Sequence, residues 1–224
     1  MPNTPDKTML KELLKEGCIE LGIDLTDEMA EKFMRYLNEL KTWNKTINLT
    51  SVINEKDIVI RHFLDSLTIL PIIIKADSVK PVKLLDIGSG AGFPGIPLKI
   101  ACPRLDVTLV ESRKKKVYFM RHIIRSLGLG MAIKALDERA EGNEFISAHT
   151  GSFDIVTSRA FSSLEDFLNV AMPLCAPLGR IIAIKGPAVD NELIRVQGLS
   201  VLEIIKVKVP FEDRTNSLVV FTKE

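Results

Sequence analysis

Cysteine and histidine are scarce in this 224-residue chain, which contains three of each. Neither a Cys-x-x-Cys nor a His-Glu-x-x-His motif occurs, so we predict no metal site. The odd number of scattered cysteines argues against a disulfide framework and is typical of a reducing cytoplasm. The six residues are Cys18, Cys102, Cys175, His62, His122 and His149.

Long apolar runs are also missing. No stretch is long enough to span a bilayer, and residues 1–6 lack the apolar core of a signal peptide. We therefore expect a cytoplasmic protein without membrane contact. An excess of one charge is lacking too, since the formal net charge is +1. Any contact with nucleic acid must then use a local patch rather than a global field.

The length and the composition, 46% hydrophobic and 26% charged, are those of a globular protein with one large domain and a small appendage. Near residue 75 the predicted elements change from helices alone to strands that alternate with helices. We predict an N-terminal helical region over residues 1–75 and a second domain over residues 76–224.

In the first region, apolar residues recur at helical spacing after Thr26, a residue type that caps helices. A further helix is predicted from about Asp57 to Leu70, ending before Pro71. The polar segment 43–50 between the two helices is predicted to be an ordered loop. The apolar residues of the first helix are Met29, Phe33, Tyr36, Leu37 and Leu40.

From residue 82 onward, predicted strands alternate with predicted helices, which indicates a doubly wound, mostly parallel α/β sheet. Two late strands form a terminal antiparallel pair. This Rossmann-like arrangement is that of class I methyltransferases. The predicted strands are 82–87, 107–111, 131–135, 153–158, 179–185, 201–209 and 217–221, and the predicted helices are 94–101, 112–127, 164–171 and 189–196.

The segment 84–98 is an apolar run that ends in Asp86 and then turns through four glycines. Such a turn presents a nucleotide-like ligand at the carboxyl end of a first strand. Gly88 and Gly90 have the first spacing of the dinucleotide pattern, but its third glycine would fall on Phe93. The spacing therefore favours S-adenosylmethionine, and Asp86 is expected to orient the amino-acid end of that cofactor. NAD stays open as an alternative.

Two acidic positions extend this predicted cofactor site. Glu111 ends the second strand, where a carboxylate can accept hydrogen bonds from both ribose hydroxyls. The run Glu138-Arg139-Ala140-Glu141 follows the third strand, where backbone groups and Glu141 can read the adenine edge. Each position also has a purely structural alternative. Asp86 could be a loop or helix cap, Glu111 the end of a surface strand, and residues 138–141 a solvent-facing turn.

Motifs that are absent narrow the reaction. Exocyclic-amine methylation usually uses an Asn/Asp-Pro-Pro-aromatic motif after the fourth strand, where this chain has Ser158-Arg159-Ala160-Phe161. Cytosine-C5 methylation needs a nucleophilic cysteine there, and none is present. A ring nitrogen with a free lone pair, such as purine N7, needs no catalytic base, and its alignment with the methyl group would supply most of the catalysis.

Basic residues suggest an RNA partner. Lys114, Lys115 and Lys116 open the second predicted helix of the α/β domain, where positive charge opposes the helix dipole. Phosphate binding and a solvated helix face are the two explanations. Arg159 and Lys185 follow apolar strands at the ligand edge of the sheet, where they can recognise phosphate or base. Their alternative is an ion pair with a carboxylate such as Asp86, Glu111 or Glu165.

At these residues the chain resembles the bacterial 16S ribosomal RNA guanine-N7 methyltransferases, also called the glucose-inhibited division protein B family. The Gly-Phe-Pro-Gly-Ile-Pro turn together with Ser-Arg-Ala-Phe is its most specific part. The matching segments are 48–52, 61–67, 86–97, Glu111-Ser112 with Lys115 and Lys116, 139–141, 158–161 and Lys185-Gly186.

The resemblance implies that the chain methylates N7 of one guanine in the 530 loop of 16S RNA, acting on the small ribosomal subunit or a late precursor. It implies cofactor contacts at Gly88, Phe93, Ala140, Glu141 and Arg159. It also implies that Arg139, Arg159 and Lys185 position RNA or the target base. Our own hypothesis is that the guanine enters near Arg159 and Phe161, where Phe161 can stack on the base. We also expect the protein to be a monomer. A methyltransferase for another substrate and an RNA assembly factor that binds the cofactor remain alternatives.

Overall fold

The computed structural model describes residues 6–74, 80–159, 161, 163–186 and 201–223. Its N-terminal part is helical, and its remainder alternates strands with helices. The helices are α1 (Lys7–Glu20), α2 (Asp27–Ile47), α3 (Glu55–Ile58), α4 (Asp65–Leu67), α5 (Leu70–Ile74), α6 (Gly95–Ala101), α7 (Lys114–Ser126), α8 (Asn143–His149) and α9 (Leu164–Leu174). The strands are β1 (Lys83–Ile87), β2 (Asp106–Glu111), β3 (Ile133–Asp137), β4 (Phe153–Ser158), β5 (Cys175–Lys185), β6 (Val201–Lys208) and β7 (Thr215–Thr222).

The long helix α2 begins where the sequence predicts. The hydroxyl of Thr26 accepts a hydrogen bond from the Met29 N–H at 3.3 Å and caps the first turn. The prediction of a loop from residue 43 is wrong, because α2 continues to Ile47 and ends at Asn48, which has a left-handed φ of 47°. The polar residues of this last stretch lie on a helix rather than in a loop.

The second predicted helix is also placed differently. Helical structure starts at Glu55, passes through a π-helical turn at Val59–Leu64 and ends with α4 at Leu67. Pro71 does not follow a helix but lies in the first turn of α5, where its missing N–H costs no intrahelical hydrogen bond.

The seven strands form one sheet in the order β3-β2-β1-β4-β5-β7-β6. The first five run parallel, and β7 pairs antiparallel with both β5 and β6. This topology confirms the predicted class I α/β fold with its terminal antiparallel pair. Because β1 neighbours both β2 and β4, the strand order reverses at β1, and a ligand crevice is expected at the carboxyl ends of these strands.

Smaller differences from the predicted elements concern their ends. β3 starts at Ile133 instead of residue 131, because Met131 is fully exposed and contributes nothing to the core. β5 starts four residues early at Cys175, and α8 was not predicted. The predicted helix 189–196 lies outside the described residues.

The N-terminal helices pack directly on the sheet domain. Tyr36 of α2 stacks on Phe63 at 5.3 Å and on Phe93 at 5.4 Å between ring centroids, and its hydroxyl donates to the Ala91 carbonyl. One buried hydrophobic cluster therefore contains residues from both sides of the predicted boundary at residue 75. The boundary itself stays a prediction. Within the described residues, no helix combines the length and apolarity needed to cross a membrane.

Candidate active site

The glycine turn after β1 is held by backbone hydrogen bonds to the neighbouring strand. The N–H groups of Gly88 and Ser89 donate to the Val110 carbonyl at 2.9 and 3.1 Å. Gly88, Gly90 and Gly92 all have positive φ, of 68°, 60° and 97°. Glycine adopts these conformations at little cost. The backbone of the turn is half-buried at Gly88 and Gly90 and buried at Gly92.

Asp86 lies behind this turn and is completely buried. Its Oδ2 accepts a hydrogen bond from the Gly95 N–H at 2.9 Å, and its Oδ1 has no hydrogen-bond partner among the described residues. Burial raises the pKa of this carboxyl to about 7. The hydrogen bond from Gly95 caps the start of α6, which is the alternative role that the sequence allows for Asp86. A contact of Asp86 with the amino-acid end of a cofactor stays a prediction.

Glu111 sits at the end of β2 and faces the glycine turn. Its Oε2 accepts from the Gly90 N–H at 3.0 Å, and its Oε1 accepts from the Arg113 N–H at 2.9 Å. Each carboxylate oxygen keeps further lone-pair capacity after one such bond. Glu111 can thus bind hydroxyl groups of a ligand while it supports the turn.

Two pockets meet at Gly88 and Glu111, which line both. Pocket A has a volume of ≈ 180 Å³ and pocket B of ≈ 450 Å³. Pocket A is lined by Ile87, Gly88, Val110, Glu111, Ser112, Glu138, Arg139, Ala140, Glu141 and Phe161. Pocket B is lined by Leu49, Thr50, His62, Gly88, Ser89, Gly90, Ala91, Phe93, Glu111, Arg113, Lys116 and Arg159.

Pocket A brings together the residues predicted for the adenine. Ala140 is buried, whereas the exposed Arg139 forms an ion pair with Glu141 at 3.1 Å. Phe161 lines this same pocket and packs against Phe167 at 5.4 Å between ring centroids. Phe161 lines pocket A and not pocket B, although its carbonyl accepts from Lys185 of the neighbouring pocket that Arg159 also lines. Its stacking on a target base stays a prediction.

Pocket B is closed on one side by an aromatic stack. His62 stacks on Phe93 at 4.7 Å, and the guanidinium carbon of Arg159 lies 5.3 Å from the Phe93 ring centroid. Burial and the charge of Arg159 lower the pKa of His62 to about 4, so the imidazole is neutral at physiological pH. Its Nε2 lies 2.7 Å from the Thr50 hydroxyl.

Arg159 forms an ion pair, but with a carboxylate that the sequence analysis did not name. Its Nη1 donates to Oδ2 of Asp65 at 2.7 Å, not to Asp86, Glu111 or Glu165. The alternative explanation for Arg159, an ion pair, is therefore present, but its carboxylate comes from the N-terminal helices rather than from the three examples that the sequence suggests.

Asp65 also joins the end of the sheet to this cluster. Its Oδ1 accepts from Nη2 of Arg214 and from the side-chain amide of Asn216, each at 2.7 Å. Its side chain is 8% exposed. In the sequence, Asp65 stands among the apolar residues Phe63, Leu64 and Leu67. A charge that is buried with such neighbours needs partners, but the sequence does not say which.

Lys185 lies at the end of β5, as predicted. Its Nζ donates to the Phe161 carbonyl at 3.3 Å. Arg159 and Lys185 line one common pocket, whereas Arg139 lines pocket A and is not part of it. Arg139 therefore lies apart from Arg159 and Lys185. That these three residues position RNA or the target base stays a prediction.

The basic start of α7 is exposed, in agreement with the predicted orientation of this helix. Lys114 and Lys115 face solvent, and Lys116 is half-buried at pocket B. Lys114 lies 4.0 Å from Asp137, which leaves most of this positive charge unneutralised. Phosphate binding by the three lysines stays a prediction.

Comparison with known proteins decides the family. The family model described as rRNA small subunit methyltransferase G matches residues 29–219. This chain belongs to that family. It is 36% identical over 220 residues to Ribosomal RNA small subunit methyltransferase G of Geobacter metallireducens, covering 96% of each chain. It is 40% identical over 216 residues to the protein of the same name from Desulforamulus reducens, covering 94% of this chain and 88% of that one.

The solved structures support the fold. A SAM-dependent methyltransferase from Aquifex aeolicus superposes with a TM-score of 0.50 at 17% identity, covering 71% of this chain and 92% of that one. Family and fold together make the chain an enzyme that transfers methyl groups from S-adenosylmethionine. The alternative of an NAD-dependent oxidoreductase is wrong.

The residues present fit this cofactor. S-adenosylmethionine is a sulfonium nucleoside without phosphates. Its binding needs a carboxylate for the ribose, an accessible backbone turn and a site for the adenine. Glu111 lies at the junction of pockets A and B, the turn at Gly88 and Gly90 lies beside it, and apolar Ile87 and Val110 line pocket A. This arrangement would seat the adenine in pocket A and the amino-acid end in pocket B.

Proposed function

We propose that this chain methylates N7 of one guanine in the 530 loop of 16S ribosomal RNA. The observation that carries the proposal is the continuity of pockets around Arg159. This side chain lines pocket B, beside the glycine turn, and also a neighbouring pocket with Lys185 that is rich in hydrogen-bond donors. A target base in the second pocket would lie next to a methyl group held in the first.

The residues of the site suit a reaction that moves no proton. His62 is neutral, but its ring is packed on Phe93 and its Nε2 lies 2.7 Å from the Thr50 hydroxyl. Asp86 is completely buried and lines neither pocket A nor pocket B, so neither side chain is presented to a substrate as a general base. The cofactor supplies an electrophilic methyl group on a sulfonium. Transfer to N7 would use the nitrogen lone pair for the new C–N bond and would leave the electrons of the broken C–S bond on sulfur. The guanine ring takes the positive charge, and no base is needed.

In this scheme the protein contributes binding and alignment, which can account for most of the acceleration of such a step. Glu111 would hold the ribose hydroxyls, and Gly88, Gly90 and Phe93 would line the amino-acid end. Ala140 and Glu141 would contact the adenine. Arg159 and Lys185 would position the target base, and Arg139 would contact RNA at the rim of pocket A.

The proposal extends to the setting of the reaction. The substrate would be the small ribosomal subunit or a late precursor, in the cytoplasm, and the protein would act as a monomer. The basic start of α7 would bind RNA phosphates. The two remaining alternatives are methylation of another substrate and an RNA assembly factor for which the cofactor is only a structural ligand.

Nucleoside mass spectrometry of 16S RNA tests the proposal. We expect 7-methylguanosine in the 530-loop fragment from cells that carry the gene and none from cells that lack it. Complementation with Glu111→Gln should restore less of the modification than the wild-type gene. An unchanged 7-methylguanosine content after deletion of the gene would refute the proposal. Transfer of labelled methyl to purified small subunits separates an enzyme from an assembly factor.

A further inference from the structure

A third pocket, pocket C, lies beyond Arg159 on the side away from the glycine turn. Its volume is ≈ 340 Å³, which is within the range of small-molecule sites. It shares His62 and Arg159 with pocket B. Its lining also includes the apolar residues Val52 and Ile184 and the basic residues Lys185 and Arg214.

One buried carboxylate organises the basic side of pocket C. Asp65 binds Arg159 through Oδ2 and Arg214 through Oδ1, both at 2.7 Å, and Asn216 also donates to Oδ1 at 2.7 Å. Three donors from two distant parts of the sheet therefore converge on one side chain of the helical region. Both oxygens of Asp65 accept from protein donors, so the carboxylate that lines pocket C is held by side chains of the protein.

The two arginines keep donors beyond those that Asp65 uses. A guanidinium carries five N–H donors in a planar fork. Arg214 uses Nη2 for Asp65 and places Nε 3.4 Å from Glu212, and its side chain is 42% exposed. Arg159 uses Nη1 for Asp65, and its Nη2 lies 3.5 Å from the His62 ring. The polar surface that pocket C presents is therefore dominated by donors.

A pocket of donors distinguishes the two purines. Guanine has two acceptors, O6 and N7, on its Hoogsteen edge, whereas adenine has the N7 acceptor and the N6 amino donor. Donors directed at position 6 pair with guanine O6 and leave the N6 amino group of adenine unpaired, which is costly in a desolvated site. A donor on O6 also leaves the N7 lone pair available for reaction.

We propose that pocket C receives the target guanine and that Asp65 is a positioning residue, which holds Arg159 and Arg214 as donors to O6 of that base. This inference rests on the proposed function, since it names the base-reading part of the same site. It assigns a role to a residue of the N-terminal helices, and it explains why a carboxylate is buried there at the junction with the sheet.

A cycle that combines a protein variant with an altered RNA atom tests the proposal. Semi-synthetic 16S RNA would carry guanine, inosine or 2-aminopurine at the target position and would be assembled into small subunits. Inosine keeps O6, whereas 2-aminopurine lacks it. For wild-type protein we expect kcat/KM to fall by about 10- to 100-fold with 2-aminopurine and to change little with inosine.

Asp65→Asn keeps the size of the side chain and removes the charge that holds both arginines. We expect its kcat/KM on guanine to fall by about 10- to 100-fold, with little further loss on 2-aminopurine, because the donors are no longer fixed. Its affinity for S-adenosylhomocysteine should remain within about twofold of the wild type. Asp57→Asn, on the same helical run but outside pocket C, is the matched control and should keep the full dependence on O6.

The outcomes separate the inference from the function on which it rests. Suppose that wild type methylates the guanine substrate and that kcat/KM falls by the same factor from guanine to 2-aminopurine in Asp65→Asn as in wild type. The inference is then overturned and the function stands. If the kcat/KM of wild type is the same on guanine and on 2-aminopurine, the inference is likewise overturned while the function stands. Absence of any methylation by wild type overturns both. If Asp65→Asn does not melt cooperatively, Arg214→Lys takes its place in the same cycle, since it keeps the charge and loses the fork.

Discussion

The buried Asp86 makes the stability of this protein depend on pH in a defined direction. Its pKa is about 7 in the folded protein, compared with ~3.9 for an unfolded chain. Between these two values the folded protein binds a proton that the unfolded chain has released. Stability contributed by Asp86 is therefore present below about pH 4 and is lost as the pH rises to about 7.

The magnitude follows from the size of the shift. Each unit of pKa difference corresponds to ~1.36 kcal/mol, so the ionisation of Asp86 costs about 2–3 kcal/mol between pH 5 and pH 8. Asp86→Asn removes this ionisation and keeps an oxygen that can accept from the Gly95 N–H. The free energy of unfolding of the variant, relative to wild type, should therefore rise by about 2–3 kcal/mol from pH 5 to pH 8.

Urea denaturation followed by circular dichroism, at pH 5, 6, 7 and 8 without cofactor, measures this difference. Other titrating groups are common to both proteins and cancel. Asp137→Asn is the control, because Asp137 is exposed at the end of β3. The free energy of unfolding of this variant should change with pH in parallel with that of wild type. Parallel curves for wild type and Asp86→Asn over this range would refute the reasoning and show that Asp86 is already ionised in the folded protein at pH 5.

Three further predictions follow from the same site. Glu111→Gln should weaken binding of S-adenosylhomocysteine by about 10- to 100-fold in calorimetry, since a charged acceptor is lost. The control is Glu144→Gln, at an exposed residue of α8 that lines neither pocket A nor pocket B, and equal affinities of the two variants would exclude the ribose contact. Gly92→Ala should lower the free energy of unfolding by about 2–4 kcal/mol, because φ is 97° and a Cβ would overlap Ile96. Gly22→Ala, with φ of 70° and open space, should cost only about 1 kcal/mol, and equal losses would contradict the overlap. Reversing the charge of Lys114, Lys115 and Lys116 should weaken RNA binding and flatten its salt dependence by about 0.7–0.9 per lost phosphate contact, measured as log K against log salt. An unaltered slope would identify these lysines as a solvated face.

The elements that the sequence predicts well are those with a local signal. β4 spans Phe153–Ser158 as predicted, and β1 and α6 start within one residue of their predicted starts. A continuous apolar run marks a strand that is buried on both faces, and the glycine turn marks its end. The positions of Gly88 and Glu111 at one crevice follow, because the carboxyl ends of adjacent parallel strands lie at the same edge of the sheet.

Helix ends were less predictable because their determinants are single contacts. The polar residues from Asn44 onward continue α2, since a helix face in solvent can be polar without ending. The side chain of Asn44 instead binds the next segment, with Oδ1 accepting from the N–H groups of Leu49 and Thr50 at 2.6 and 2.9 Å. Polarity alone does not distinguish this arrangement from a loop.

The identity of the partners of Asp65 had no local signal in the sequence. Arg159 lies 94 positions and Arg214 149 positions from Asp65 in the chain. Hydrophobic periodicity reports on neighbours within a helix or strand, and it carries no information about which distant charges meet. A buried aspartate demands a partner, but many arginines in the sequence satisfy that demand equally.

The same contacts argue against regarding the N-terminal helices as an appendage. They supply Thr50 and His62 to pocket B and Asp65 to pocket C. If the helices were absent, Arg159 would lose its carboxylate and Phe93 would lose the rings of Tyr36 and His62. A half-buried arginine without a partner is costly, so its side chain would leave the pocket. The helical region is therefore part of the proposed site, because it supplies the carboxylate that holds Arg159 in the pocket.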